Sequence, residues 1–112
     1  MNNVTVNKDG NWALLLYGSG KVEMNNCTVS GEATTASIWF GDGRTVTING
    51  GNYSSMLINA GNGAGMVSAG TLTLNNTVVE KVRVGAVEVD GTITRANLIN
   101  NNSTIGVIDY EK

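Results

Sequence analysis

The sequence predicts an all-β fold in which one chain winds through about five coils and stacks equivalent strands in parallel, as a β-solenoid. Three observations lead to this prediction. The composition disfavours helices, the apolar residues alternate with a period of two, and similar segments return about every 22 residues. A chain of 112 residues has room for one domain, and we expect residues 1–112 to form it.

Strands rather than helices follow from the residue types. Asn, Gly, Val and Thr make up half of the chain, and all four are poor helix formers. No long stretch carries an apolar stripe with the period of a helix. Short segments instead alternate apolar and polar residues, as in Val46-Thr47-Ile48. Each such segment is typical of a strand that turns one face inward.

A longer repeat arranges these strands into coils. Five short segments align with one another, and a glycine precedes four of them: Gly20, Gly43, Gly70 and Gly91. A hairpin meander would not return to the same strand phase at this interval, whereas a solenoid does. The alignment predicts two inward columns, formed by Val4, Val6, Val22, Met24, Val46, Ile48, Leu72, Leu74 and Ile93.

The residues after each aligned strand predict a tight turn. The second turn position holds Asn26, Gly50, Asn76 and Asn97. These residue types tolerate the left-handed backbone conformation at low cost. We therefore expect one left-handed residue per coil at this corner, with asparagine side chains that hydrogen-bond from coil to coil.

Arg95 interrupts the last repeat, because the alignment places it in an inward column. A guanidinium group cannot be buried there without a partner. Three solutions are open: the last coil opens to solvent, the register slips, or Asp109 or Glu111 pairs with the arginine. We favour an open last coil, since only the terminal repeat is interrupted.

The composition excludes several kinds of site. With no His and one Cys, the chain cannot assemble a structural zinc site or a His-based triad. Its 7 basic and 9 acidic residues form no cluster of either sign, which argues against a nucleic-acid partner. No apolar run approaches a membrane span, and the first residues do not resemble a signal peptide. We expect no cofactor, no metal and no membrane insertion.

Three glycine-led segments, at residues 43–51, 70–76 and 91–94, carry a family resemblance that extends over nearly the whole chain. They resemble the right-handed parallel β-helix of the pectin-lyase-like superfamily, and most of all the repeats of bacterial adhesins and autotransporter passenger domains. The resemblance implies architecture more than activity, since the same repeat serves lyases, hydrolases, adhesins and phage spikes. The enzymes among them use Asp clusters or a Gly-His-Gly turn. This chain has no His and no Asp-Asp pair, so it matches no catalytic residue of theirs.

Two carboxylates and one tryptophan are candidate surface sites. Glu88 and Asp90 are two apart on a predicted strand and would share a face, as an acid/base pair or a calcium site. We favour the alternative of a solvated polar row.

Trp39 lies between Ile38 and Phe40 in an apolar strand, so one of the two phases must point outward. The candidates for a sugar-stacking platform are Trp12, Tyr17, Trp39, Tyr53 and Tyr110.

Threonines form a third candidate surface. Two outward columns are predicted, one with Thr45, Thr71 and Thr92 and the other with Thr47, Thr73 and Thr94. Such an array resembles the ice-binding face of β-solenoid antifreeze proteins. Threonine is also simply a good outward residue in strands, which is the interpretation we favour.

These observations favour a non-catalytic β-helical module of a bacterial or phage surface protein, serving as a rigid spacer or an adhesive face. The alternatives are a fragment of a polysaccharide lyase or hydrolase whose active site lies elsewhere and, more remotely, ice binding. The expected partners are carbohydrate or a host protein, at the cell surface or outside the cell. No capping element precedes Val4 or follows the last strand. We therefore expect either a homo-oligomer or contact of the strand edges with the rest of a longer solenoid.

Overall fold

The computed structural model describes residues 1–10, 12–18, 20–31, 36–61 and 66–112. In these residues the fold is all β, with eleven strands and no helix. The strands are β1 (Thr5–Asn7), β2 (Leu14–Leu16), β3 (Gly20–Ser30), β4 (Ile38–Phe40), β5 (Arg44–Ile58), β6 (Thr71–Asn75), β7 (Val78–Val84), β8 (Ala86–Val89), β9 (Thr92–Arg95), β10 (Asn97–Asn101) and β11 (Thr104–Tyr110). Within the described ranges, no helix of the length and apolarity needed to cross a membrane occurs.

All strands except β8 and β9 stack in parallel on three faces of a solenoid of about four turns, which confirms the predicted fold class. The first face comprises residues 21–25, residues 45–49, β6 and β10. The second face comprises β1 and residues 28–29, 52–53, 78–79 and 104–105. The third face comprises β2, β4 and residues 56–58, 82–84 and 108–110.

Inward side chains from the three faces meet in one apolar core. On the first face the aligned repeats predict the core correctly, since the following residues are fully buried: Met24, Val46, Ile48, Leu72 and Leu74. The second and third faces add Val29, Tyr53, Val79, Ile38, Phe40, Met56, Ile58, Val82 and Val84. In these strands the inward positions hold apolar residues, and the three faces together enclose one core.

The corner between the first and second faces is built from left-handed residues. Asn26, Gly50 and Asn76 have φ angles of 52°, 70° and 52°, as predicted. Asn97 does not belong to this set, because it begins β10; Asn102, with a φ angle of 58°, takes its place. Asparagine and glycine are suited to this corner because they enter the left-handed region with little strain.

The predicted alignment is wrong at both ends of the chain. Thr5 and Val6 pair with Thr28 and Val29, so this segment belongs to the second face rather than the first. At the other end, Leu98 and not Ile93 lies opposite Leu72. Val6 and Val22 are half-buried, whereas Val4 and Ile93, predicted in the core, are exposed. The coils repeat every 23 to 26 residues rather than every 22.

The reason for the error at the C-terminal end is a local hairpin. β8 and β9 pair antiparallel, with Val89 opposite Thr92, and are inserted between the fourth coil and β10. Asp90 and Gly91 form the two-residue loop, with φ angles of 50° and 79°. Two successive positive φ angles are typical of the type I′ turn, for which Asp-Gly is a preferred sequence. The segment at residues 92–95 therefore looks like a repeat but pairs with its immediate neighbour.

Arg95 is exposed, as expected, but for a different reason. It lies at the end of β9 in the hairpin and not in an inward column of the solenoid. Its guanidinium group donates a hydrogen bond to the backbone carbonyl of Lys112. Neither Asp109 nor Glu111 pairs with Arg95, since both lie near Arg83.

Candidate functional site

Trp39 is the centre of an aromatic patch on the outer side of the third face. Ile38 and Phe40 point inward and are fully buried, so Trp39 between them points outward and is half-buried. The ring of Tyr17 packs against it, with 5.1 Å between the ring centroids and 56° between the planes. Leu15 lies beside Trp39 in the neighbouring strand and is 40% exposed. We define the aromatic patch as Leu15, Tyr17 and Trp39.

The patch rests on an apolar base. Leu57 lies next to Trp39 in strand register and, although it points outward, only 6% of its surface is exposed. Tyr17 itself is 68% exposed, so the accessible part of the patch is mainly its aromatic ring. An exposed cluster of this kind marks an interaction surface more often than scattered apolar residues do.

Arg44 holds the backbone that carries Tyr17. Its Nε donates to the carbonyl oxygen of Leu16 at 3.1 Å, and its Nη2 donates to the carbonyl oxygen of Tyr17. Tyr17 follows the last residue of β2 and so lies outside the strand. Arg44 therefore positions the tyrosine from the start of β5, and the sequence alone gave no signal of this contact across 27 residues.

Towards the C-terminal coils, the same face becomes charged. Arg83 lies next to Leu57 in register and pairs with two carboxylates, at 3.5 Å from Asp109 and 3.5 Å from Glu111. These groups are partly exposed, so the ion pairs contribute little to stability. The outer side of the third face thus changes from aromatic to charged along the solenoid.

The two carboxylate candidates do not form a site on one strand. Glu88 is exposed on β8, while Asp90 lies beyond the end of that strand in the hairpin loop. The positive φ of Asp90 explains its presence through turn geometry. In the described part of the chain, no group of three or more His, Cys, Asp or Glu side chains is placed to hold a metal ion.

The threonine array is smaller than the sequence predicts. Thr45 lies beside Thr71 and Thr47 beside Thr73 on the outer side of the first face. Lys21 and Glu23 continue these columns on one side, and Asn97 and Ile99 continue them on the other. The remaining candidates, Thr92 and Thr94, lie in the hairpin and do not join the array.

The other aromatic candidates are separate from the patch. Tyr53 is buried in the core, Trp12 is half-buried before β2, and Tyr110 is exposed at the end of β11.

A shallow groove of about 160 Å³ lies on the outside of the second face. Its polar lining comes from Thr28, Ser30, Asn52, Ser54 and Glu80.

The buried side chain of Tyr53 makes the free energy of unfolding fall at alkaline pH. Its hydroxyl is buried without a hydrogen-bond partner among the described residues, and burial raises its pKa above the ordinary value of 10.0. The unfolded chain releases this proton first, so the contribution of Tyr53 is constant below about pH 10 and is lost as the pH rises further. The free energy of unfolding should fall by up to about 1.4 kcal/mol per pH unit there.

Tyr53→Phe should remove that alkaline loss. Denaturant unfolding from about pH 8 to about pH 11 gives the free energy of unfolding of both proteins, and the difference between them measures this loss. Since the variant also removes an unpaired buried hydroxyl, it should be at least as stable as the wild type at neutral pH. An identical alkaline decline in both proteins would show that Tyr53 ionises as readily in the folded chain as in the unfolded one.

Comparisons of the chain with known protein families, with curated proteins and with solved structures give no match.

Proposed function

We propose that the chain is a non-catalytic β-solenoid module of a bacterial or phage surface protein, which presents the aromatic patch to carbohydrate outside the cell. The patch of Leu15, Tyr17 and Trp39 is the observation that supports this proposal. Aromatic rings offer a flat apolar surface, and their edges remain compatible with water, so they suit the apolar faces of sugar rings. The finer assignment to an adhesin of the pectin-lyase-like superfamily is part of the same proposal.

The solenoid holds the aromatic patch in a fixed position on its surface. Trp39 is fixed by the buried side chains on either side of it, and Arg44 holds the backbone of Tyr17. A surface that is already ordered loses little conformational entropy on binding. The fold therefore supplies a preorganised platform, as a spacer with an adhesive face requires.

Binding to a panel of neutral and acidic polysaccharides, followed by affinity electrophoresis, tests the proposal. Trp39→Ala and Tyr17→Ala should each weaken binding by roughly tenfold or more, since loss of a central aromatic anchor costs about 2 kcal/mol. Ile99→Ala is the matched control, because it removes an exposed apolar side chain from the first face. Its binding should equal that of the wild type.

Two results would contradict the proposal. Equal binding by Trp39→Ala, Tyr17→Ala and the wild type would exclude the aromatic patch as the contact. Turnover of an acidic polysaccharide by the chain would show that it is an enzyme, as the alternative of a lyase or hydrolase requires. Product formation is followed in the same samples, so both results come from one experiment.

A further inference from the structure

A ladder of asparagine side chains runs along the solenoid and has a direction. It consists of Asn2, Asn25, Asn49, Asn75 and Asn101, one per coil. In each step the Nδ2 of the later coil donates to the Oδ1 of the preceding coil, at 2.7, 2.9, 2.9 and 2.8 Å. Reversing one amide would bring two donors or two acceptors together, so the amides must all point the same way.

The direction of the ladder makes its two ends chemically complementary. Asn2 accepts from Asn25 and keeps its Nδ2 as a free donor, while Asn101 donates to Asn75 and keeps its Oδ1 as a free acceptor; neither free atom has a partner among the described residues. The N-terminal end of one copy can therefore donate to the C-terminal end of another. Two C-terminal ends would bring acceptor against acceptor, which is unfavourable.

At the N-terminal edge, the backbone N–H and carbonyl groups of Asn2 are also free to pair with another strand. Asn25 donates its N–H to the carbonyl of Met1 at 2.8 Å, and Asn3 donates its N–H to the carbonyl of Asn25 at 2.9 Å. In a parallel ladder alternate residues bond to opposite sides. Asn2, between Met1 and Asn3, therefore directs its backbone groups away from the second coil.

At the C-terminal edge, the free backbone groups belong to the residues that a strand carrying Asn2 would need as partners. The carbonyl of Asn101 accepts from Asn76 at 3.0 Å, so Asn101 is bonded to the fourth coil. Its neighbours Asn100 and Asn102 are then directed to the free side. Asn2 of a second copy, placed opposite Asn101, would find the carbonyl of Asn100 and the N–H of Asn102 on either side.

The core columns are open at these two ends. At the C-terminal end Ile105 is half-buried, and Ile108 and Tyr110 are 40% and 58% exposed although they stand in inward columns. At the N-terminal end Val6, Leu14 and Leu16 are half-buried in the same three columns. A second copy in register would place Ile105 over Val6, Ile108 over Leu14 and Tyr110 over Leu16, and bury all six.

One polar side chain in this end surface, that of Asn100, is already paired within its own chain. Asn100 occupies the inward position opposite Leu74, where an apolar residue stands in the other coils. Its Oδ1 accepts from the N–H of Ser103 at 2.9 Å, and its Nδ2 donates to the carbonyl of Ser103 at 3.2 Å. Asn100 can therefore be covered by a second copy without leaving an unsatisfied group.

We propose that copies of this chain associate head to tail, with the C-terminal coil of one pairing in parallel with the N-terminal coil of the next. The contact joins two different surfaces, so it is heterologous and leaves one free end of each kind after every addition. Continued addition produces a filament in which the asparagine ladder and the core columns run from copy to copy. The contact uses the free edge and the inward side chains of β2, whereas the aromatic patch lies on the outer side of β2 and β4.

Sedimentation velocity and light scattering from micromolar to millimolar concentration test the association. The wild type should increase in mass continuously with concentration and should not stop at a dimer. Two variants block one end each: Asn2→Asp replaces the free donor by an acceptor, and Ile108→Lys places a charge on the C-terminal surface. Each variant alone should remain monomeric, with the circular dichroism of a folded β protein.

An equimolar mixture of the two variants gives the decisive result. The Asn2→Asp chain keeps an intact C-terminal end and the Ile108→Lys chain keeps an intact N-terminal end, so the mixture should form a dimer and nothing larger. Val107→Lys is the matched control, since Val107 is exposed on the same strand but points outward, and it should associate like the wild type. Tyr110→Lys replaces Ile108→Lys as the block if the latter fails to fold.

Three results would overturn the proposal. A wild type that stays monomeric at millimolar concentration has no such interface. A dimer of Asn2→Asp alone, with Ile108→Lys monomeric, would indicate pairing of two C-terminal ends. An equimolar mixture of folded variants that remains monomeric would show that the two ends do not bind each other.

Discussion

Replacing Ile48 by alanine is expected to lower the free energy of unfolding by about 2–5 kcal/mol, the usual cost of emptying a fully packed core position. Ile48 lies in the middle coil, with Met24 above it and Leu74 below it in strand register. None of the three side chains is exposed to solvent. Backbone pairing on both sides fixes the spacing of the coils, so the neighbours cannot collapse into the space that the side chain leaves.

Thr47→Ala is the control for this prediction. Thr47 is the adjacent residue on the same strand but points outward, so its truncation should cost well under about 1 kcal/mol. Ile105→Ala, in the terminal coil where the core is half open, should fall between the two. Denaturant unfolding with a common slope measures all three. Equal losses for Ile48→Ala and Thr47→Ala would mean that the middle column does not carry the core.

The sequence predicts the central coils well because two independent patterns agree there. The alternation in Val46-Thr47-Ile48 assigns the inward face, and the return of the same pattern at Leu72 assigns the coil. Left-handed residues at the corner provide a third agreement, at Asn26, Gly50 and Asn76. A one-residue slip would reverse every side chain, so agreement among these patterns determines the register.

The ends are predicted poorly because the local pattern does not reveal the partner strand. Residues 92–94 alternate like the true repeats, but the Asp90-Gly91 loop pairs them with β8 before they can join the solenoid. The Asp-Gly sequence is a hairpin signal, and the charge of Arg95 argues against an inward position for residues 92–95. The false repeat at residues 92–95 shortens the predicted interval to about 22 residues, whereas the coils contain 23 to 26.

The candidate site shows the same division between local and distant information. The outward phase of Trp39 follows from its apolar neighbours, which a sequence displays directly. Its contact with Tyr17 and the hydrogen bonds from Arg44 join residues 22 to 28 positions apart. Such contacts depend on how the coils stack, so they become visible only once the register is known.

Replacing Gly51 by alanine is expected to lower the free energy of unfolding by more than about 3 kcal/mol, above the usual range for one strained backbone position. Gly51 has a φ angle of 96°, which side chains rarely permit. A Cβ atom there would overlap the carbonyl oxygen of Cys27 and would lie 2.9 Å from its nitrogen. Both atoms belong to the backbone of the neighbouring coil, so the clash is relieved only by separating two paired strands.

Gly50→Asn isolates this cause, because Gly50 is the adjacent residue and also has a positive φ angle, of 70°. Asparagine already occupies the equivalent corner position in the flanking coils, as Asn26 and Asn76. The atom that an added Cβ would meet is the side-chain oxygen of Asn26, which can rotate away. Gly50→Asn should therefore cost less than about 1 kcal/mol, since a left-handed asparagine carries little strain. Thermal and denaturant unfolding of both variants decide the matter: similar losses would show that the left-handed conformation, and not the approach of the Cys27 carbonyl, requires glycine at this corner.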